Sequence, residues 1–88
     1  MIRLGVAGLG YWGPNLARNF DRIPDAELAW LCDESEERVE RHAAGFPGAR
    51  GTTSLDDLLS DDTLDAVALA TPVPSHAALA LRVLEAGK

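Results

Sequence analysis

The run Gly8-Leu9-Gly10-Tyr11-Trp12-Gly13 decides how this chain is read, together with Ile2-Arg3-Leu4-Gly5-Val6-Ala7 before it and Pro14-Asn15-Leu16-Ala17 after it. Its glycines follow the pattern G-x-G-x-x-G. The six residues ahead of it are mostly apolar and lead into glycine, as a short buried strand does. Beyond it, Leu16, Phe20 and Ile23 recur at helical spacing beside Ala17, and Pro14 suits a first helical turn, where its missing N–H has no role. Each glycine then has a task. Gly8 turns the chain out of the strand, Gly10 lets backbone approach a pyrophosphate, and Gly13 lets the helix pack closely. The free N–H groups around Tyr11, Trp12 and Gly13, at the positive end of the helix dipole, can hold phosphate. No lysine stands near the loop, so this is backbone recognition and not an ATPase phosphate loop. A ligand-free tight turn would explain the glycines alone. It does not explain Asp33, which ends a second strand ~20 residues past Gly13, as a dinucleotide fingerprint requires.

Strand-like and helix-like segments alternate outward from the loop. Pro24-Asp25 breaks the first helix, and residues 27–32 read as the second strand. A charged helix over 35–44 has Glu36 and Glu37 near its start and Arg41 and His42 near its end, matching its dipole. Gly45 is its expected left-handed cap. A weak third strand covers 49–53. Ser54-Leu55-Asp56-Asp57 has the spacing of a capping box and opens a short helix carrying Leu55, Leu58 and Leu59. Residues 66–70 form a fourth buried strand. Thr71-Pro72-Val73-Pro74 stops it, and Ser75 is placed to cap a last helix whose inward face is Ala77, Ala80, Leu81 and Leu84, ending at Gly87. This alternation predicts an α/β fold: a Rossmann-type parallel sheet of about four strands in the order 3-2-1-4, helices on both faces, right-handed crossovers.

At 88 residues, 47% hydrophobic and 25% charged, the chain has the size and make-up of one globular domain. Eight basic against fourteen acidic residues give a net charge of −6, which argues against nucleic acid or anionic membrane as partner. One cysteine, Cys32, leaves no disulfide and no thiol cluster, and no metal site is expected. No apolar run approaches the ~18 residues of a membrane span, and no signal peptide precedes the loop. The expected setting is cytoplasmic.

Asp33 is placed to accept hydrogen bonds from the adenosine ribose and to repel a 2′-phosphate, which favours NAD over NADP. Capping the following helix is its commoner structural use, and both can hold at once. Arg38 is placed to lie near an adenine or to reach a 2′-phosphate, so NADP stays open; a solvated helix face is the commoner role for Arg38 and Arg41. Thr71 and Pro72, past the fourth strand, border the expected nicotinamide ribose, or simply punctuate strand and helix. His76 falls in a first helical turn, where positive charge is disfavoured, and reads as a neutral hydrogen-bonding residue at the rim. Cys32 reads as an inert core thiol, Trp30 as buried in the sheet layer, His42 as a surface residue. Trp12 either shields the cofactor or contacts another domain.

Residues 5–20, Cys32-Asp33, the run Asp65-Ala66-Val67-Ala68-Leu69-Ala70-Thr71-Pro72 and the ending Leu84-Glu85-Ala86-Gly87-Lys88 together resemble the N-terminal half of the glucose-fructose oxidoreductase/inositol dehydrogenase (Gfo/Idh/MocA) family. The resemblance covers nearly the whole chain. It implies an NAD(P)-dependent oxidoreductase moving hydride to or from a carbon–oxygen bond of a sugar, sugar nucleotide or cyclitol, and a homo-oligomer when intact. It also implies cofactor contacts at Gly8, Gly10, Tyr11, Trp12, Gly13, Asp33, Thr71, Pro72 and His76. Family members continue into a fifth strand, a Glu-Lys-Pro motif with the catalytic lysine, and a substrate domain. None of these lies within residues 1–88, so the chain reads as a partial cofactor domain, inactive alone, and no catalytic residue is assigned. Lys88 matches the lysine of the Ala-Gly-Lys turn, not the catalytic one. An NAD-sensing regulatory module without catalysis is the alternative function; a nucleotide enzyme of another kind, such as a methyltransferase, is a third.

Overall fold

Four strands and four helices alternate in the computed structural model, which describes residues 1–71 and 73–88. The strands are β1 (Ile2–Ala7), β2 (Ala26–Cys32), β3 (Arg50–Thr52) and β4 (Ala66–Leu69). The helices are α1 (Gly13–Asp21), α2 (Glu36–Ala43), α3 (Leu55–Leu59) and α4 (Val73–Glu85). All strand pairs are parallel, and the sheet order is β3-β2-β1-β4, as the alternation predicts. β1 is therefore central, and the loop at its end opens where the strand order reverses, the crevice in which such sheets receive ligands.

The period of two along each strand sorts the core into two clusters. Val6, Leu28 and Leu31 pack with Ala17 of α1 and Val39 of α2. Ala7, Trp30 and Cys32 pack with Leu58 of α3 on the other side. One irregularity interrupts the sorting: Leu4 pairs with Leu28 but Gly5 with Trp30, so Ala29 has no partner in β1. The extra residue puts Ala29 and Trp30 into the same cluster, the usual effect of a bulge. Trp30 is buried as expected, its Nε1 donating to Asp61 Oδ2 at 2.8 Å, with the Arg50 guanidinium 5.6 Å from its ring centre.

Several local expectations are corrected. Ile23 lies outside α1 and is 45% exposed, because the helix ends at Asp21 and Arg22 caps it. Gly45 is not a left-handed cap: Ala44 caps α2 in a right-handed conformation, and among the described residues only Gly8 and Gly87 have positive φ. The chain instead keeps turning, with Gly45 N–H on His42 O and Phe46 N–H on Ala43 O, which brings Phe46 against the core. Ser54 makes no side-chain cap; the Asp57 carboxylate accepts from the Thr52 hydroxyl, which itself accepts from Ser54 N–H. α4 starts at Val73, ahead of the cap expected at Ser75. Its inward face is Val83 with Leu79 and Ala80, while Ala77, Leu81 and Leu84 are exposed. Two contacts accompany that rotation. Arg82 pairs with Asp56 of α3, and Lys88 Nζ donates to the carbonyls of Asp61 and Leu64 at 2.8 and 3.0 Å.

Candidate functional site

Two of the loop glycines are required by the chain itself and one is not. Gly8 has φ +101°, and a Cβ there would sit 2.7 Å from the Ala70 carbonyl and 2.9 Å from the Thr71 nitrogen. Its N–H donates to Cys32 O at 2.7 Å, so the loop is clamped between the ends of β2 and β4. A Cβ on Gly13 would fall 1.7 Å from the Gly8 carbonyl oxygen: α1 can start here only if this residue has no side chain. At Gly10 the nearest atom to a Cβ would be Arg38 Nη1, 3.9 Å away, and the residue is exposed. The chain leaves open space against Gly10 that a bound group can use. The N–H groups of Gly10, Tyr11 and Trp12 have no acceptor among the described residues, and Trp12 caps α1 without a side-chain bond. Unspent donors at a helix N-terminus suit an anion.

Asp33 is 8% exposed and joins the loop to β2. Its Oδ1 accepts from Leu9 N–H and its Oδ2 from Ser35 N–H, both at 2.8 Å. The N-cap of α2 is Ser35, not Asp33. Arg38 Nη1 stands 3.7 Å from Asp33 Oδ2, so one guanidinium faces both the acid and the open side of Gly10. Arg38, the arginine expected near an adenine or a 2′-phosphate, thus stands beside the acid, whereas Arg41 pairs with Glu37 at the surface. The loop-to-acid hydrogen bond through Leu9 has no sequence signal, because it is made by a backbone group. A carboxylate offers about four lone-pair sites, so Asp33 retains capacity for a ribose hydroxyl.

On the β4 side, Thr71 borders Gly8 and its Oγ1 is buried without a hydrogen-bond partner. Pro72 lies outside the described residues. His76 Nε2 is 2.9 Å from Leu69 O; a carbonyl can only accept, so Nε2 carries a proton and donates. Tyr11 and Trp12 are 82% and 65% exposed and meet edge to face, ring centres 5.1 Å apart. Cys32 is buried; desolvation, then the charges of Asp33 and Asp57, push its thiol up to about 11, so it is no nucleophile near neutral pH. Among the described residues no cluster of His, Cys, Asp or Glu could hold a metal ion, and no helix is long and apolar enough to cross a membrane. The residues present fit a dinucleotide: open space, unspent amide donors, an acid just past the end of β2 and an orphaned buried hydroxyl converge at one end of the sheet.

Residues 2–88 match the Gfo/Idh/MocA family model, described as an oxidoreductase family with an NAD-binding Rossmann fold. An inositol 2-dehydrogenase of Rhodococcus jostii is 41% identical over 88 residues, covering 99% of this chain and 24% of that protein. The crystal structure of GenD2 from gentamicin A biosynthesis, in complex with NAD, superposes with a TM-score of 0.94 at 37% identity, covering 99% of this chain and 25% of that one. The WlbA dehydrogenase of Bordetella pertussis, in complex with NADH and UDP-GlcNAcA, gives 0.89 at 36% identity, covering 99% and 26%. The chain thus spans about a quarter of the length of these relatives.

Proposed function

This chain belongs to the Gfo/Idh/MocA oxidoreductase family as an NAD-binding Rossmann domain, and we propose that it is the cofactor-binding portion of a dehydrogenase acting on a carbon–oxygen bond of a sugar, sugar nucleotide or cyclitol. The observation that carries this reading is the open space at Gly10, flanked by unspent amide donors and by Asp33 and Arg38. The relatives named above, an inositol dehydrogenase and a dehydrogenase bound to a UDP-sugar, supply the substrate class.

In this mode the N–H groups of Gly10, Tyr11 and Trp12 hold the pyrophosphate, aided by the α1 dipole. Asp33 keeps the loop in shape through Leu9 and accepts from the adenosine ribose. Arg38 offsets the charge of Asp33 and faces the 2′ position, so NAD is preferred and NADP is accommodated. Thr71 offers its orphaned hydroxyl to the nicotinamide half, with Pro72 beside it in sequence. His76, anchored on Leu69, lines the rim. The nicotinamide supplies the hydride chemistry when bound. Cys32 stays protonated and His76 Nε2 is engaged, so neither is assigned as the catalytic acid/base.

Titration with NADH, NADPH and S-adenosylmethionine tests the reading. NADH should bind most tightly, and binding of S-adenosylmethionine alone would defeat it. Asp33→Ala should weaken NADH and narrow the gap to NADPH, whereas Arg38→Ala should widen that gap by about tenfold through loss of one charge-assisted contact. An unchanged ratio in both variants removes the pair from the site.

A further inference from the structure

A cleft of about 470 Å³ lies between α1 and α2, lined by Pro14, Arg18, Asp21, Arg22, Arg41, His42, Gly45 and Phe46. It shares no residue with the glycine loop and includes neither Asp33 nor Arg38. Its charge is unlike that of the rest of the molecule. The chain has eight basic and fourteen acidic residues, yet three arginines and one acid line this cleft. Arg41 is paired with Glu37, but Arg18 and Arg22 have no ion pair among the described residues. Counting Asp21 and Glu37 against the three guanidinium groups still leaves a local positive charge. The helix dipoles explain a cation at each helix end. They do not explain why the ends of two helices turn their cations into one shared recess.

We propose that this cleft binds a phosphate dianion, free or carried as a monoester on a small carbon skeleton. Guanidinium forks match phosphate oxygens in pairs, and the two unpaired arginines have donors to spend. Pro14 and Phe46 supply an apolar wall for a carbon body. This site stands independently of the dinucleotide reading.

The test is a backbone-amide NMR titration of the chain with inorganic phosphate and, separately, glycerol 3-phosphate, made on the Gly10→Val variant so that the loop is blocked. Saturable shifts are expected at Arg18, Arg22, His42 and Phe46. Arg18→Gln with Arg22→Gln should weaken them by about tenfold or more, on the scale of lost charge-assisted hydrogen bonds, with NADH affinity of the otherwise unaltered chain unchanged. Both arginines are exposed, so the double variant should keep its melting temperature. Equal affinity for the two ligands assigns the site to the free ion, and tighter glycerol 3-phosphate assigns it to a monoester. No saturable shift at these amides, or one that survives the double substitution, overturns the proposal.

Discussion

One methyl group added at Gly13 should cost the chain much of its stability, whereas the same methyl at Gly10 should cost none and act only on ligand binding. At Gly13 the new Cβ would lie 1.7 Å from the Gly8 carbonyl oxygen and 2.8 Å from its carbon. Neither atom can yield cheaply. Gly8 is tied to Cys32 by its N–H, and its Cα faces the backbone of Ala70 and Thr71. Overpacking costs ~1–3 kcal/mol even where side chains give way, so a clash between backbone atoms belongs at about 3 kcal/mol or above. A domain of this size has about 4–13 kcal/mol in all, at ~0.05–0.15 kcal/mol per residue. With ~4–8 °C per kcal/mol for a small domain, Gly13→Ala should melt about 12–24 °C lower. At Gly10 the nearest atom stands at 3.9 Å and φ is not positive. Gly10→Ala should therefore melt at or slightly above the parent, since alanine restricts the unfolded chain by ~0.4–1 kcal/mol, while its NADH affinity falls. Circular-dichroism melts with NADH fluorescence titrations measure both. A Gly13→Ala melt within about 3 °C of the parent, far inside the range expected from overpacking, would refute the packing argument. A Gly10→Ala protein that binds NADH as the parent does would refute the assignment of the open space.

Three further outcomes follow from single groups. Thr71→Val removes a buried hydroxyl that has no partner and should stabilise the chain by about 1 kcal/mol while weakening NADH; a lower melting temperature with unchanged NADH affinity contradicts the role given to Thr71. Burial raises the Cys32 thiol from its ordinary 9.0 to about 11 in the fold, so the folded state keeps the proton longer. Stability should be full below pH 9.0 and fall by at most ~1.4 kcal/mol per pH unit up to about pH 11; urea unfolding of Cys32→Ala should lack that component. Asp61 is held well below the usual carboxylate range by hydrogen bonds from Thr63 and Trp30. Its contribution is present above the unfolded pKa of ~3.9 and lost as pH falls through the folded value, so Asp61→Asn should flatten the acid limb of the stability curve, and an unaltered limb would count against it.

The sheet order was legible because β1, the glycine loop and α1 announce one another within a few residues, and alternation of apolar strands with helices leaves only a parallel arrangement. The third strand and the α3 boundaries were legible for the same reason. The facing of α4 was not. Ala77, Leu81 and Leu84 form an apolar stripe at helical spacing, yet Val83 is the buried residue, and the distant contacts that accompany this facing, Arg82–Asp56 and Lys88 to Asp61 and Leu64, carry no local signal. The bulge at Ala29 was equally hidden, since an extra residue in a continuous apolar strand leaves no break in its pattern. In the candidate site, spacing located Gly8, Gly10, Gly13 and Asp33. The motif also distinguishes Gly8 for the turn and Gly13 for close packing from Gly10 for ligand approach; what it does not show is which atoms face each Cα, the Ala70 and Thr71 backbone at Gly8 and the Gly8 carbonyl at Gly13.

A buried acid beside a loop proposed to hold phosphate looks self-defeating in a chain of net charge −6, and the partners of Asp33 answer the difficulty. Its carboxylate takes the N–H of Leu9, the donor that points into the fold, and leaves those of Gly10, Tyr11 and Trp12 unspent. Its other oxygen is occupied by Ser35 N–H, and Arg38 stands beside it at 3.7 Å. The negative charge is thus met by two hydrogen-bond donors and one guanidinium at ion-pair distance, and repulsion of a phosphate would be confined to the side where the acid is open. Asp33 and Arg38 then act as one unit: removing the acid frees Arg38 and loosens the loop together. A loss of affinity on Asp33→Ala therefore combines both effects, and the ratio of NADH to NADPH binding, rather than either affinity alone, isolates the part that belongs to charge.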